Sequence, residues 1–278
     1  MPIDGSTELI GHFGHPTRAF KAPLIYNPYF ASIGLNAVVV PMGCRPAAFA
    51  NALRGFFALE NARGALITMP HKVSVVALLD RVSAAAEIAG SCNAVRRDRD
   101  GSLVGDMFDG EGFVRGLRRK GFGVDGVRAL VVGCGGVGSA IAASLAGAGA
   151  REVALFDLDA GVAESLAARL RAHHPTLAVA TGSNDPAGFD LVVNATPLGM
   201  QPGDPLPVDV GRLGASTFVG EVVMRTEVTD FVAAARRRGC RVQVGTDMLY
   251  EMIPPYLEFF GLPTTSPEAL RAVSLVRD

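Results

Sequence analysis

The 278-residue chain has no excess charge of either sign: 26 Lys and Arg stand against 27 Asp and Glu, a formal net charge of -1. Charges so balanced and so mixed leave no electrostatic footprint for nucleic acid or for an anionic membrane surface, and neither is expected as a partner. Cysteine is scarce. Cys44, Cys92, Cys134 and Cys240 lie far apart with no C-x-x-C spacing, which disfavours a disulfide or zinc framework, implies no metal, and suits thiols kept reduced in a cytoplasm. No apolar run approaches about 18 residues, and the N-terminus lacks a basic start followed by an apolar stretch, so a soluble, unexported chain is expected. Repeats, low-complexity tracts and coiled-coil heptads are missing too. What is plentiful is apolar side chain, 49% of residues, enough for a sizeable core in one large domain or two modest ones.

The chain is organised around residues 128–157. A short branched run, 129–132, has the character of a buried parallel strand and leads directly into Gly133, Gly135 and Gly138 at G-x-G-x-x-G spacing, with Gly136 and Val137 between them. The small residues from Ser139 to Ala146 suit a helix packed tightly on a sheet, and residues 153–156 supply the next strand. The first glycine permits the sharp turn, the second lets backbone approach a pyrophosphate, and the third lets helix and strand pack closely. The helix N-terminus adds free N–H groups and a partial positive charge. Asp157, 19 residues beyond Gly138, stands where a carboxylate accepts hydrogen bonds from an adenosine ribose and would repel a 2′-phosphate. Leu158, Asp159 and Ala160 follow it without a cation. The reading is a dinucleotide site that prefers NAD to NADP.

Ahead of this unit, residues 9–12, 36–41 and 65–68 read as strands. Residues 23–30 and 46–58 read as helices, and helical spacing resumes over 71–79. Residues 94–97 and 103–105 flank the polar turn Asp98-Arg99-Asp100-Gly101, which predicts a hairpin at the sheet edge. Beyond it a linking helix spans 110–120. After the glycine unit come helix 161–174, strands 178–180, 191–194, 218–223 and 241–243, and helix 227–238. Paired helices within 248–261 and 267–275 end the chain. This alternation is that of an α/β protein with a parallel sheet.

Two segments combine ionisable residues with turn chemistry, Thr68-Met69-Pro70-His71-Lys72 and Gly105-Asp106-Met107-Phe108-Asp109. Oxidation of a secondary alcohol needs a group that takes the hydroxyl proton while hydride leaves carbon, and a lysine can serve, with a carboxylate holding substrate and ammonium in place. On residue type alone, Lys72 is equally an ordinary helix-start lysine and Asp109 an N-cap.

Taken together these segments resemble the shikimate dehydrogenase family, including its quinate-using members. Residues 64–72 (GALITMPHK) resemble G-x-N-V-T-x-P-x-K, residues 90–94 (GSCNA) resemble G-A-x-N-T, and residues 105–112 (GDMFDGEG) resemble G-x-N-T-D-x-x-G. Residues 194–200 (NATPLGM) match the family's cofactor-contacting loop, and residues 245–249 (GTDML) resemble G-x-x-M-L near the nicotinamide. The resemblance implies Lys72 as the catalytic base with Asp109 as its partner, and Thr68 and Asn93 as substrate contacts. It places Asn194, Ala195, Thr196, Gly199, Val222 and Gly245 at the cofactor beside the glycine turn. It also implies an N-terminal α/β substrate domain, 1–108, completed by C-terminal helices 247–278, and a Rossmann-like NAD-binding domain, 109–246. The implied activity is NAD-dependent, reversible oxidation of a ring secondary hydroxyl of shikimate, quinate or a related cyclic hydroxy acid by a cytoplasmic enzyme of aromatic amino acid biosynthesis, with a homodimer as the assembly considered.

The departures concern recognition. The family holds its substrate carboxylate with two serines in G-x-P-x-x-H-S-x-S-P, whereas residues 14–23 read GHPTRAFKAP, with Phe20 and Ala22 in the serine places. Leu66, Ala94, Met224 and Met252 replace the family's Asn, Thr, Tyr and Gln. Lys21 is the first candidate for a replacement anchor, with Arg18 and Arg225 behind it. Two alternatives follow: the same chemistry on a less polar cyclic substrate, or an NAD-binding sensor without catalysis.

Overall fold

The computed structural model describes residues 3–276. The chain divides into two compact units, one made of Met1–Phe108 with Ile253–Asp278, the other of Asp109–Met252.

The first unit contains β1 (Glu8–Gly14), α1 (Pro23–Ser32), β2 (Ala37–Gly43), α2 (Pro46–Phe57) and β3 (Ala62–Ile67), then β4 (Arg81–Val82), α3 (Ala84–Ala89), β5 (Ala94–Arg97) and β6 (Leu103–Asp106). Its six-stranded sheet has the order β2-β1-β3-β5-β6-β4. β1 runs parallel to both β2 and β3, and β5 runs antiparallel to β3 and β6. Proline at the first turn starts α1 and α2, where its missing N–H costs nothing. Asn27 in α1 reaches sideways to the edge strand, donating to the Val39 carbonyl at 3.1 Å and accepting from its N–H at 2.8 Å.

Residues 71–79 differ from the expected helix. They form turns and one 3₁₀ turn, Val76–Leu78, because Val73, Val75 and Val76 crowd β-branched side chains into a single turn of backbone directly after Pro70. The hairpin of β5 and β6 is present, but the two-residue β4 pairs outside it and takes the sheet edge.

The second unit contains α4 (Asp109–Arg119), β7 (Arg128–Val132), α5 (Gly136–Gly147), β8 (Glu152–Phe156), α6 (Ala160–His173), β9 (Ala178–Thr181) and β10 (Leu191–Asn194). It continues with β11 (Phe218–Glu221), α7 (Asp230–Arg237), β12 (Arg241–Gln243) and α8 (Gly245–Glu251). Its sheet, β12-β11-β10-β7-β8-β9, is parallel throughout. The order reverses between β7 and β10, the switch point outside which doubly wound sheets bind ligands. α5 lies so close to α4 that a Cβ on Gly110 would come within 2.0 Å of the Ala140 carbonyl oxygen, so glycine there is a packing requirement. Buried Leu130, Val192, Val219 and Phe231 form the core on one face of this sheet.

The helix at 245–251 groups with this second unit, while α9 (Ile253–Phe259) and α10 (Pro267–Val273) return to the first. Two arginines tie α9 to the first sheet. Arg63 Nε donates to the Phe260 carbonyl at 2.7 Å, and Arg96 Nη1 donates to the Phe259 carbonyl at 2.9 Å while its guanidinium lies over the Phe259 ring. Cations suit the carbonyl end of a helix. No helix of the described residues is long and apolar enough to cross a membrane.

Candidate functional site

In the first unit the predicted substrate residues gather at one end of the sheet, where β1 and β3 stop and β5 begins. The Thr68 N–H donates to the Phe13 carbonyl at 2.9 Å, Ile67 N–H to the Asn93 carbonyl at 2.8 Å, and Asn93 N–H to the Asp106 carbonyl at 2.9 Å. Asn93 is fully buried, and its Oδ1 accepts from the Phe108 N–H at 2.9 Å. Lys72 is half-buried in the turn that follows Pro70, its carbonyl accepting from the Cys92 N–H at 2.8 Å. The same turn is pinned by His71, which is 1% exposed, stacks on Phe49 at 4.0 Å and shares a hydrogen bond of 2.7 Å between Nε2 and the Cys44 carbonyl. His71 therefore serves packing.

Phe20 lies at the same end. Its ring stacks on His12 of β1, with centroids 4.0 Å apart and planes at 26°. A Cβ on Gly14 would stand 2.4 Å from Thr68 Cγ2 and 2.8 Å from Phe20 Cζ, so Gly14 is the space that lets the two side chains converge. His12 is 8% exposed and its Nδ1 has no hydrogen-bond partner among the described residues. Burial, helped by the positive charge of Lys72, pushes its imidazole down to about 4, so the ring is neutral at pH 7. Lys21 is half-buried and Arg18 exposed.

The second unit holds Asp109 at the first position of α4, 3% exposed. Met252 follows α8 and packs on α4, since a Cβ on Gly112 would lie 2.5 Å from the Met252 Cβ. The glycine turn closes at the end of β7: Gly133 has φ +95°, and a Cβ there would meet the Ala195 backbone at 2.7 Å. A Cβ on Gly138 would collide with the Gly133 carbonyl at 1.8 Å, whereas one on Gly135 would meet nothing within 4 Å. Gly135 precedes α5, whose first residues are Gly136 and Val137. The turn is thus closed where helix meets strand and open where a phosphate group would approach, which fits a dinucleotide. Asp157 takes part in the same turn, its Oδ2 accepting from the Cys134 N–H at 2.8 Å and its Oδ1 from the Asp159 N–H at 3.0 Å.

The Asn194 side chain, in the loop that the resemblance places at the cofactor, is fully buried and its amide is bonded within the protein. Its Nδ2 donates to the Leu198 carbonyl at 2.9 Å, and its Oδ1 accepts from the Thr196 N–H at 3.1 Å and hydroxyl at 2.7 Å. It shapes the loop on which Ala195, Thr196 and Gly199 sit. The same Nδ2 reaches Glu221, a buried acid with no motif around it in the sequence. Val222 N–H donates to the Glu221 carboxylate at 2.8 Å, and Gly245 packs against the carbonyls of Val222 and Val223. Arg225 is exposed and donates to the Met200 carbonyl at 2.9 Å and Gln201 Oε1 at 3.0 Å, so its charge serves the loop after Gly199.

The shikimate dehydrogenase substrate binding domain model matches residues 13–95, and the ThiF family model matches residues 124–172. The shikimate dehydrogenase (NADP(+)) of Rubrobacter xylanophilus is 41% identical over 277 residues, with 98% of this chain and 97% of that one covered. The chain belongs to the shikimate dehydrogenase family. It is accordingly an oxidoreductase of the dehydrogenase type, with the two-sheet α/β fold of its relatives. Among solved structures, the shikimate 5-dehydrogenase from Listeria monocytogenes, in complex with shikimate and NAD, superposes with a TM-score of 0.91 at 27% identity over 98% of both chains. The ligand-free 5-ketofructose reductase of a Gluconobacter strain gives 0.88 at 28% identity, over 96% of this chain and 97% of its own. The Rubrobacter relative is named for NADP(+) and the Listeria complex holds NAD, so family membership leaves the choice between the two to the residues of this chain.

Proposed function

We propose that the protein catalyses the reversible, NAD-dependent oxidation of a ring secondary hydroxyl on a small cyclic substrate of the shikimate and quinate kind. The observation that carries this reading is the glycine turn at the switch point of a parallel sheet, open at Gly135 and followed by Asp157, in a chain that keeps Thr68, Lys72, Asn93 and Asp109. Residues 1–108 with the helices after Met252 would form the substrate domain, and residues Asp109–Met252 the cofactor domain. Gly133, Gly135, Gly136, Val137 and Gly138 would hold the pyrophosphate, Asp157 the adenosine ribose, and the loop from Asn194 to Gly199, with Val222 and Gly245, the nicotinamide end. Bound NAD supplies the hydride acceptor. The chain's own part is proton transfer: Lys72 Nζ takes the hydroxyl proton of the substrate as the carbinol becomes a ketone and returns it in the reverse direction, while Asp109 orients the ammonium. Thr68 and Asn93 orient ring hydroxyls.

NAD is favoured because Asp157 is an anion where a 2′-phosphate would lie, and the residues after it are Leu158 and Asp159. A sensor that binds NAD without turnover would have no use for Lys72 and Asp109 together. The test is steady-state formation of NADH with shikimate, quinate and related cyclic polyols. Turnover of at least one with NAD is expected. Cofactor binding with no turnover across the panel would favour the sensor.

A further inference from the structure

The chain as a whole is balanced in charge, but one end of the first sheet is not. β3 enters the sheet at Ala62 and leaves it for Thr68, and antiparallel β5 runs the other way, from Ala94 to Arg97. Their far ends, away from Thr68 and Asn93, border a recess of about 330 Å³ lined by Arg63, Arg96, Arg97 and Arg99, with Asp98 as its one carboxylate and Phe259 in its wall. That volume lies within the range of small-molecule sites.

The four cations are short of anions. Asp98 is already shared between Arg81 at 2.8 Å and Arg96 at 3.0 Å, and Arg63 meets Glu8 only at 3.5 Å. Arg96 Nε, out of line with Asp98, is one of the few buried side-chain nitrogen and oxygen atoms of the described residues without a hydrogen bond. Arg97 bonds only carbonyls, those of Phe57 and Leu59, and neither it nor exposed Arg99 has a carboxylate partner among the described residues. Guanidinium groups gathered without matching carboxylates repel one another, and an oxyanion relieves that repulsion.

We infer that this recess binds a phosphate monoester carried on a small apolar body, at a site separate from the residues proposed for the dehydrogenase chemistry. The guanidinium fork matches phosphate oxygens. Successive residues of a strand point to opposite faces, and Arg96 reaches the Phe259 carbonyl at the end of α9 while Arg97 reaches the Phe57 carbonyl at the end of α2. Donors arriving from both faces of β5 suit a tetrahedral group better than a planar carboxylate, and four guanidinium groups against one carboxylate suit a dianion. Phe259, half-buried with the Arg96 guanidinium 4.7 Å from its ring centroid, offers the apolar body a surface.

The experiment is calorimetric titration of the full chain with phenyl phosphate, benzoate and phenol, with and without saturating NAD and shikimate. Phenyl phosphate is expected to bind at one site that neither NAD nor shikimate displaces, with benzoate roughly tenfold weaker and phenol not bound. Arg99→Glu should weaken phenyl phosphate roughly tenfold or more, about the worth of one charged hydrogen bond. Its side chain is exposed and bonds nothing in the fold, so the result stands even if Arg97→Gln, expected to weaken binding as much, loosens the end of α2. Raising the salt concentration should weaken binding further. Displacement of phenyl phosphate by NAD or shikimate, equal affinity in Arg99→Glu, benzoate bound as tightly, or no binding at all would each overturn the inference, and none of these would touch the dehydrogenase reading, which is tested by turnover.

Discussion

Asn194 and Glu221 meet at the carboxyl ends of β10 and β11, where Asn194 Nδ2 donates to both carboxylate oxygens of Glu221 at 3.0 and 3.1 Å. The same carboxylate accepts from the Val222 and Val223 N–H groups at 2.8 and 3.0 Å and from the Thr229 hydroxyl at 2.9 Å. Every partner is a donor, so the group acts as an acceptor only. Burial raises the Glu221 pKa and these bonds pull it back. The buried acid thereby joins the loop after Asn194 to the backbone on which Gly245 packs.

Glu221→Gln should therefore destabilise the protein although it preserves shape, because the amide nitrogen must face a donor. A loss of about 1–3 kcal/mol is expected, the usual cost of an unsatisfied buried polar group. Chemical denaturation of the two proteins at pH 7 checks it. A change near zero would show that the network adjusts without cost. The variant should also bind NAD more weakly, since the loop after Asn194 loses its support.

The buried His12 predicts a pH dependence of stability. Unfolded histidine takes up a proton near pH 6.5, whereas His12 in the folded protein does so only near pH 4. Between these values unfolding takes up a proton, so stability falls as pH falls, and it is flat with respect to this group above about pH 7. The expected loss between pH 7 and pH 5 is about 2 kcal/mol. His12→Val should remove most of that slope, which denaturation curves at the two pH values would measure. Equal slopes in both proteins would place His12 in contact with water.

Much of the fold could be read from sequence because each strand is a short apolar run between turn residues. Residues 191–194 and 241–243 were bounded as β10 and β12 are. β4 and α3 escaped, since two residues carry no periodicity and an alanine run says little about burial, although Ser83, which caps α3 by accepting from the Ala86 N–H at 3.2 Å, was a usable signal. The glycine turn was legible because its chemistry is local. His12 was not, because a single polar residue within an apolar strand reads as a surface position, and its partner Phe20 comes from the following loop. Glu221 was missed for the same reason: donors from Asn194, Val222, Val223 and Thr229 converge on it only in the folded chain.

Asp157 carries the cofactor prediction. With its carboxylate at the end of β8, NAD should be used more efficiently than NADP, and Asp157→Ala should narrow the ratio of the two kcat/KM values by roughly tenfold, the worth of one charged contact. NAD affinity should fall as well, because the side chain also accepts from the Cys134 N–H within the glycine turn. An unchanged ratio would mean that cofactor choice is made elsewhere.

The central claim is that Lys72 carries the proton in a nicotinamide-dependent oxidation, and the most direct measurement is the rate of NADH formation by Lys72→Met beside the unmodified protein, on whichever cyclic alcohol of the panel is turned over best. A loss of roughly 10²–10⁴-fold in kcat is predicted, with NAD affinity nearly unchanged. Turnover by Lys72→Met within a fewfold of the unmodified protein would contradict the account.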